Sequence, residues 1–214
     1  MRKVIIATPS YDGKLCTEYV ISLMDTIALC NKNGINVELF TLSHVSLTQV
    51  ARNSLFARVY SEKPESVIWI DADISWNPQD FLYLVNSEKD ILGAAYPRKV
   101  PEDLYVVKCF EPVDQVNDII KVAGLGFGFI KLSYKVISDL WNISEPYYDD
   151  VFYHKNVFDV KIKNGELWSE DAEACQKMLD LGYDIYLDKR IRCDHIGDKR
   201  YESNFYEWIN NLKL

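Results

Sequence analysis

The chain has 214 residues, of which 48% are hydrophobic and 26% charged, and its formal net charge is −8. That length suits one domain able to bury most of its apolar surface, and the composition excludes a disordered tail or a miniprotein that needs staples. The acidic balance argues against a nucleic-acid backbone as ligand, because phosphate binding along a strand needs concentrated Lys and Arg.

Residues 4–7 read as a β run, and 8–13 as a loop rich in turn residues. A helix is predicted over 16–33, with Gly34 as its stop. Residues 37–42 return to β, and 48–61 read as a helix with Val50, Leu55, Ala57 and Val59 among its apolar positions. The next strand, from Val67, ends abruptly at Asp71. A short helix over 78–85 and a strand over 90–95 complete a β-α-β-α-β order, which points to a mainly parallel sheet covered by helices.

The second half is less regular. Residues 104–110 and 119–122 are expected to pair as strands. Gly124, Gly126 and Gly128 let backbone approach a ligand or another chain closely, although neither phosphate-loop spacing is met. A helix is expected over 133–141, and the aromatic, acidic stretch 147–158 reads as a loop over a site. Ser169 caps a further helix that ends at Gly182, followed by a strand over 183–187. From Tyr201 onward, Phe205, Trp208, Ile209 and Leu212 fall at helical spacing.

The five cysteines, Cys16, Cys30, Cys109, Cys175 and Cys193, are odd in number and scattered, with no C-x-x-C pair. A disulfide framework or a cysteine-rich zinc site is therefore unsupported, and a reducing, cytoplasmic setting is expected. The apolar stretch before Thr8 is too short for a signal peptide, and no run approaches the roughly 18 residues of a membrane span.

The apolar run Val67-Ile-Trp-Ile stops on two carboxylates one residue apart, Asp71 and Asp73. An ionised carboxylate out of water needs a cation or a full set of donors, so the two acids belong at the mouth of the strand rather than inside it. Ligands of open α/β sheets bind at that edge, and a divalent ion carrying a phosphorylated substrate suits two acids there. An ordinary loop start with solvated acids is the alternative. The basic clusters Arg98-Lys99, Lys189-Arg190-x-Arg192 and Lys199-Arg200 read either as solvated loops or as contacts for a small phosphorylated molecule.

Taken in order, Ile6-Ala-Thr-Pro-Ser-Tyr11, Ala51-Arg-Asn53, Asp71-Ala-Asp73, Gly126-Phe-Gly128, Glu170-Asp171 and His195-Ile-Gly197 resemble the GT-A class of nucleotide-sugar glycosyltransferases. Within that class the chain looks most like the small viral enzymes that glycosylate the capsid proteins of large algal DNA viruses, which would place it in a host cytoplasm. The resemblance implies a single α/β domain over 1–214, with a Rossmann-like, mainly parallel central sheet flanked by helices and a smaller irregular or antiparallel acceptor-side region. Residues 1–98 would form the nucleotide-binding half, 99–200 the donor-sugar and acceptor half, and 201–214 a C-terminal helix.

The resemblance also implies roles. Asp73 and His195 would ligate Mn²⁺ or Mg²⁺, with manganese better suited to an imidazole, and Asp71 would reach the ribose or bind the metal through water. Asp194 is an alternative ligand. Thr8, Pro9, Tyr11, Arg52, Asn53 and Ala72 would line the nucleotide pocket, with Tyr11 packing on the base. Gly126 and Gly128 would meet the donor, and Arg98-Lys99 would steady its diphosphate. Asp171 would face the acceptor hydroxyl, as base if the reaction inverts the anomeric centre and as an orienting group if it retains it. A UDP-sugar donor, a glycan or glycoprotein acceptor and possible further domains in a longer protein complete the expectation. A nucleotidyltransferase that makes sugar nucleotides, and a non-catalytic binding module of the same fold, stay open as alternatives.

Overall fold

The computed structural model describes residues 1–102, 104–149 and 151–211. Its first half runs β1 (Arg2–Ser10), α1 (Thr17–Lys32), β2 (Ile35–Ser43), α2 (Thr48–Glu62), β3 (Ser66–Ile70), β4 (Ile74–Trp76), α3 (Pro78–Asn86) and β5 (Ile91–Gly93). The second half continues with β6 (Val107–Val116), β7 (Ile119–Leu125), β8 (Phe129–Ser133), α4 (Tyr134–Ile143), the hairpin β9 (Pro146–Tyr148) and β10 (Tyr153–Lys155), and the hairpin β11 (Lys161–Lys163) and β12 (Glu166–Trp168). It closes with α5 (Glu170–Asp180), β13 (Ile185–Asp188), β14 (Cys193–Ile196), β15 (Arg200–Tyr201) and α6 (Phe205–Asn211). Of the expected C-terminal helix, Leu212 and residues 213–214 lie outside the described residues, as does Asp150 of the 147–158 stretch.

The central sheet has eight strands in the order β2-β1-β3-β8-β5-β13-β7-β6. β1 pairs in parallel with β2 and β3, and β13 with β5, while β8 and β7 are antiparallel to every strand beside them. Six of the eight strands therefore point the same way and two are inverted, which gives the mainly parallel α/β architecture that the alternating pattern predicts. Four strands come from residues 1–98 and four from 99–200, so the sheet is continuous across both.

Alternation along β1 and β3 explains the layering. Ile5, Ala7, Val67 and Trp69 face one cluster with α2, α4, α5 and α6, whereas Val4, Ile6, Ile68 and Ile70 face the other with α1 and α3. All eight are fully buried, and at roughly 1.5–3 kcal/mol for each larger side chain neither face can be turned to water. Helix ends are set locally: Cys16, Asn77, Ser133 and Ser169 each accept a backbone N–H at an N-terminus, and Pro78 stands at the first position of α3. Gly34 and Gly182, with φ of 73° and 84°, turn the chain after α1 and α5.

Two expectations need correction. β8, inserted antiparallel between β3 and β5, falls where no strand is predicted. The 147–158 stretch is a hairpin rather than a lid: its stem reaches Val157 and Phe158, which are fully buried, and its described residues line neither of the two cavities described below.

Candidate active site

Two pairings bring distant acids and bases together. β14 runs antiparallel to β4, with His195 opposite Ile74, and the Ile196 N–H donates to the Asp73 carbonyl at 2.7 Å. The imidazole is thereby set beside a carboxylate far away in sequence. On the other side of the turn, the Cys16 N–H donates to the Ala72 carbonyl at 3.0 Å, so the start of α1 stands against Asp71-Ala-Asp73.

His195 Nδ1 donates to the Pro97 carbonyl at 2.9 Å, which leaves Nε2 facing Asp73 Oδ2 at 3.5 Å. Nε2 donates to that carboxylate when the ring is protonated and offers a lone pair to a cation when it is not. Lys99 Nζ lies 2.5 Å from the same Asp73 oxygen. Burial would raise the Asp73 pKa, but hydrogen bonds from His195 and Lys99 outweigh it and hold the carboxyl down at about 2. An imidazole oriented by a carbonyl on its other nitrogen, beside an ionised carboxylate, is a donor set that fits a divalent cation. Among the described residues no three His, Cys, Asp or Glu side chains cluster closely enough to hold a metal ion. Further ligands would have to come from water or from a bound molecule.

Behind these groups Arg52 of α2 is only 2% exposed, and it gathers three carboxylates. Its Nη2 donates to Asp71 Oδ1 at 3.0 Å, and its Nε lies 3.5 Å from both Glu170 Oε1 and Asp171 Oδ1. Trp69, Phe127 and Phe158 surround the guanidinium at 5.7–5.8 Å from their ring centres. Burial works against its charge, but the three acids prevail and raise its pKa. Asp71 is thus committed on one oxygen to an arginine, which leaves Asp73 as the acid that meets His195.

Asp171 opens α5. Its Oδ2 accepts the Phe127 N–H at 3.1 Å, while Oδ1 has no hydrogen-bond partner among the described residues. Burial pushes its pKa up, the charges of Glu170 and Asp71 add to that, and Arg52 opposes them, leaving the carboxyl at about 7. One oxygen is held by a backbone N–H, and the other lies 3.5 Å from Arg52 Nε without a hydrogen bond of its own among the described residues, at a pKa suited to proton transfer near neutrality.

A cavity of about 590 Å³ lies at the carboxyl ends of β1 and β3, walled by Pro9, Tyr11, Arg52, Asp71, Ala72, Asp73, Asp171 and His195. A second cavity, of about 540 Å³, lies between β6, β7, β12 and α5, and Arg98, Gly126 and Trp168 are on its wall. Asp171 borders both.

Several predicted residues fall elsewhere. Thr8 is fully buried and shares a 2.6 Å hydrogen bond with Tyr19, behind Pro9. Asn53 is also buried. Its Oδ1 accepts the Val157 and Phe158 N–H groups at 3.0 and 2.9 Å, and its Nδ2 donates to the Phe158 carbonyl at 2.9 Å, so its polar atoms are spent on the stem of the 147–158 hairpin. Neither residue lines the first cavity.

Gly126 and Gly128 serve Tyr96: a Cβ at 128 would come within 2.6 Å of its ring, and one at 126 would strike its hydroxyl. Of the basic pair, Lys99 rather than Arg98 reaches the acids: Lys99 meets Asp73, and Arg98 lies on the wall of the second cavity. Nothing in the sequence distinguishes the two. Asp194 is occupied by the Ser203 N–H at 2.9 Å and turns away from Asp73. His154 pairs with Asp149 at 2.7 Å, and His44 stands against Gly13.

No protein-family model matches the chain, and no curated protein matches it in sequence. Solved structures do match in fold. A197 from STIV superposes with a TM-score of 0.59 at 17% identity, covering 95% of each chain. A Drosophila β-1,4-galactosyltransferase 7 mutant, crystallised with manganese, UDP-Gal and xylobiose, superposes at 0.53 with 16% identity, covering 97% of this chain and 74% of that one. A glycosyltransferase involved in glycosylation of the major capsid of PBCV-1 aligns over 65% of the chain at a TM-score of only 0.36, too loose to carry the narrower viral resemblance. At these identities the likeness concerns the fold, and the chain has the α/β architecture of the galactosyltransferase.

Proposed function

We propose that this chain is a glycosyltransferase that moves a hexosyl group from a UDP-sugar to a hydroxyl of a glycan or glycoprotein, with inversion at the anomeric carbon. The observation that carries the reading is Asp171, a largely buried carboxylate between two cavities whose Oδ1 makes no hydrogen bond among the described residues and is balanced by the Arg52 charge. The donor occupies the cavity at the ends of β1 and β3, with Tyr11 against the base, and the acceptor occupies the other. In this reading residues 1–98 supply most of the donor site, and the second half supplies the acceptor site.

Asp73 and His195 would hold a divalent cation, Mn²⁺ by preference. When bound, that ion supplies positive charge where the leaving group develops its negative charge. Arg52 keeps Asp71 and Asp171 in register across the two cavities. The acceptor oxygen forms its bond to the anomeric carbon as the bond from that carbon to the β-phosphate oxygen breaks. The electron pair leaves with UDP, and the acceptor proton passes to Asp171 Oδ1.

Calorimetric titration of UDP with and without Mn²⁺, on the native chain and on Asp73→Asn, tests the assignment. Binding is expected to depend on the metal and to weaken at least tenfold in the variant, ~1.4 kcal/mol. Equal affinity under all four conditions removes the cation site. Product analysis separates the reactions, since a transferase releases UDP and a nucleotidyltransferase releases pyrophosphate.

A further inference from the structure

One acid on the wall of the donor cavity, Asp73, already has a cation. Lys99 Nζ and His195 Nε2 converge on one atom, Asp73 Oδ2. The segment from Pro97 to Lys99 carries both halves of this arrangement: the Pro97 carbonyl orients the imidazole, and two residues later the ammonium neutralises the carboxylate. The lysine is also guided along its length. A Cβ at residue 197 would sit 3.1 Å from Lys99 Cδ and 3.5 Å from Cε, so the bare backbone of Gly197 forms the track on which the alkyl chain lies. Asp73 and His195 are on the cavity wall, and Lys99, 34% exposed, reaches Asp73 from outside that lining.

Asp73 Oδ2 already accepts from an ammonium, and a divalent ion brought to the same carboxylate meets that like charge at close range. We propose that Lys99 occupies the cation seat in the nucleotide-free protein, and that a divalent ion enters by exchange. Asp73 passes from the ammonium to the metal, and the ammonium passes to the oxygens of the nucleoside diphosphate that arrives with it. This rests on reading the cleft as a nucleotide-sugar site, and it adds a consequence: metal alone binds weakly because it must expel an ion pair, whereas metal with a diphosphate provides the lysine with a new anion.

Electron paramagnetic resonance of free Mn²⁺, titrated with protein in the absence of nucleotide, reads the exchange without any turnover. Lys99→Met should bind Mn²⁺ roughly tenfold more tightly than the native chain, the worth of one charge-assisted hydrogen bond that no longer has to be broken. Lys99→Arg, which keeps the charge, should bind no more tightly than the native chain. Lys99→Gln provides a second neutral side chain, expected to follow Met, with circular dichroism confirming that each variant is folded. Unchanged or weaker Mn²⁺ binding in both neutral variants overturns the proposal, as does equal tightening in the Arg variant. Asp73→Asn in the same titration keeps the two questions apart. Native-like Mn²⁺ binding there removes the metal site itself, whereas loss of binding there with no gain in the neutral lysine variants removes only the exchange.

Discussion

Asp171 sits between opposing influences: burial and two neighbouring acids favour its neutral form, and Arg52 favours its anion. A base must be ionised to accept a proton, so transfer should rise with pH and level off above about 7. A pH profile of initial rate under subsaturating acceptor reads that limb directly. Asp73 cannot produce it, because that carboxyl is held at about 2 and stays ionised throughout. Asp171→Asn should lower kcat by about 10²–10⁴, the usual worth of a positioned base, while UDP affinity in calorimetry stays near native. Arg52→Met is a different case. It leaves Asp71, Glu170 and Asp171 facing one another without their shared cation, and breaking a buried ion pair in this way costs about 3–5 kcal/mol, readable as a lower urea midpoint.

At the scale of elements, α2 performs two jobs with adjacent residues. Arg52 ties the helix to the acids, and Asn53 ties it to the stem of the β9–β10 hairpin. Asn53→Ala would strand the Phe158 N–H and carbonyl, while the Val157 N–H keeps the Lys155 carbonyl at 2.9 Å, and at about 1–3 kcal/mol for each unsatisfied group the chain should lose a few kcal/mol. Chemical denaturation measures that loss, and hydrogen exchange should show the new opening at residues 157–158. Asn53 read as a nucleotide contact because its neighbour is part of the site, and sequence adjacency does not report that side chains of a helix diverge by about 100° per residue. The helices themselves were legible because their signals are local: Ser169 as a cap, Gly34 and Gly182 as stops. β8 was not, because Lys131 stands in the middle of it. That lysine is 4% exposed, and it is satisfied by the Ser87 carbonyl at 2.6 Å, a partner that exists only once the sheet has formed.

For the whole molecule, the acids divide into two groups with opposite pH dependence. Asp73, Glu65, Asp188 and Glu173 have depressed pKa values. Their contribution is present above the unfolded range near 4 and is lost as pH falls through their folded values. Asp171 is raised, so its contribution is complete below about 4 and is lost as pH rises through about 7. Melting temperature should therefore fall steeply below pH 4 and drift downward between pH 4 and 7. Asp171→Asn should flatten the second slope while leaving the first, giving a gain at pH 8 that is absent at pH 4. A Tm series across pH for both proteins checks the sign of each limb.

The order of elements, the strand ending on Asp71 and Asp73, the helix opening on Glu170 and Asp171 and the lone histidine at 195 were all determined by the sequence. Each depends on side-chain period, caps and turn residues within a few positions, or on the cost of burying an unpaired carboxylate. What only the tertiary structure decided is which of these groups meet. The β4–β14 pairing sets His195 beside Asp73, the segment after β5 brings Lys99 rather than Arg98 to the same carboxylate, and one buried arginine joins Asp71 to Asp171. Such meetings depend on strand register and on which face of a strand or helix is covered, quantities set by the packing of elements far apart in the chain and carried by no local stretch of residues.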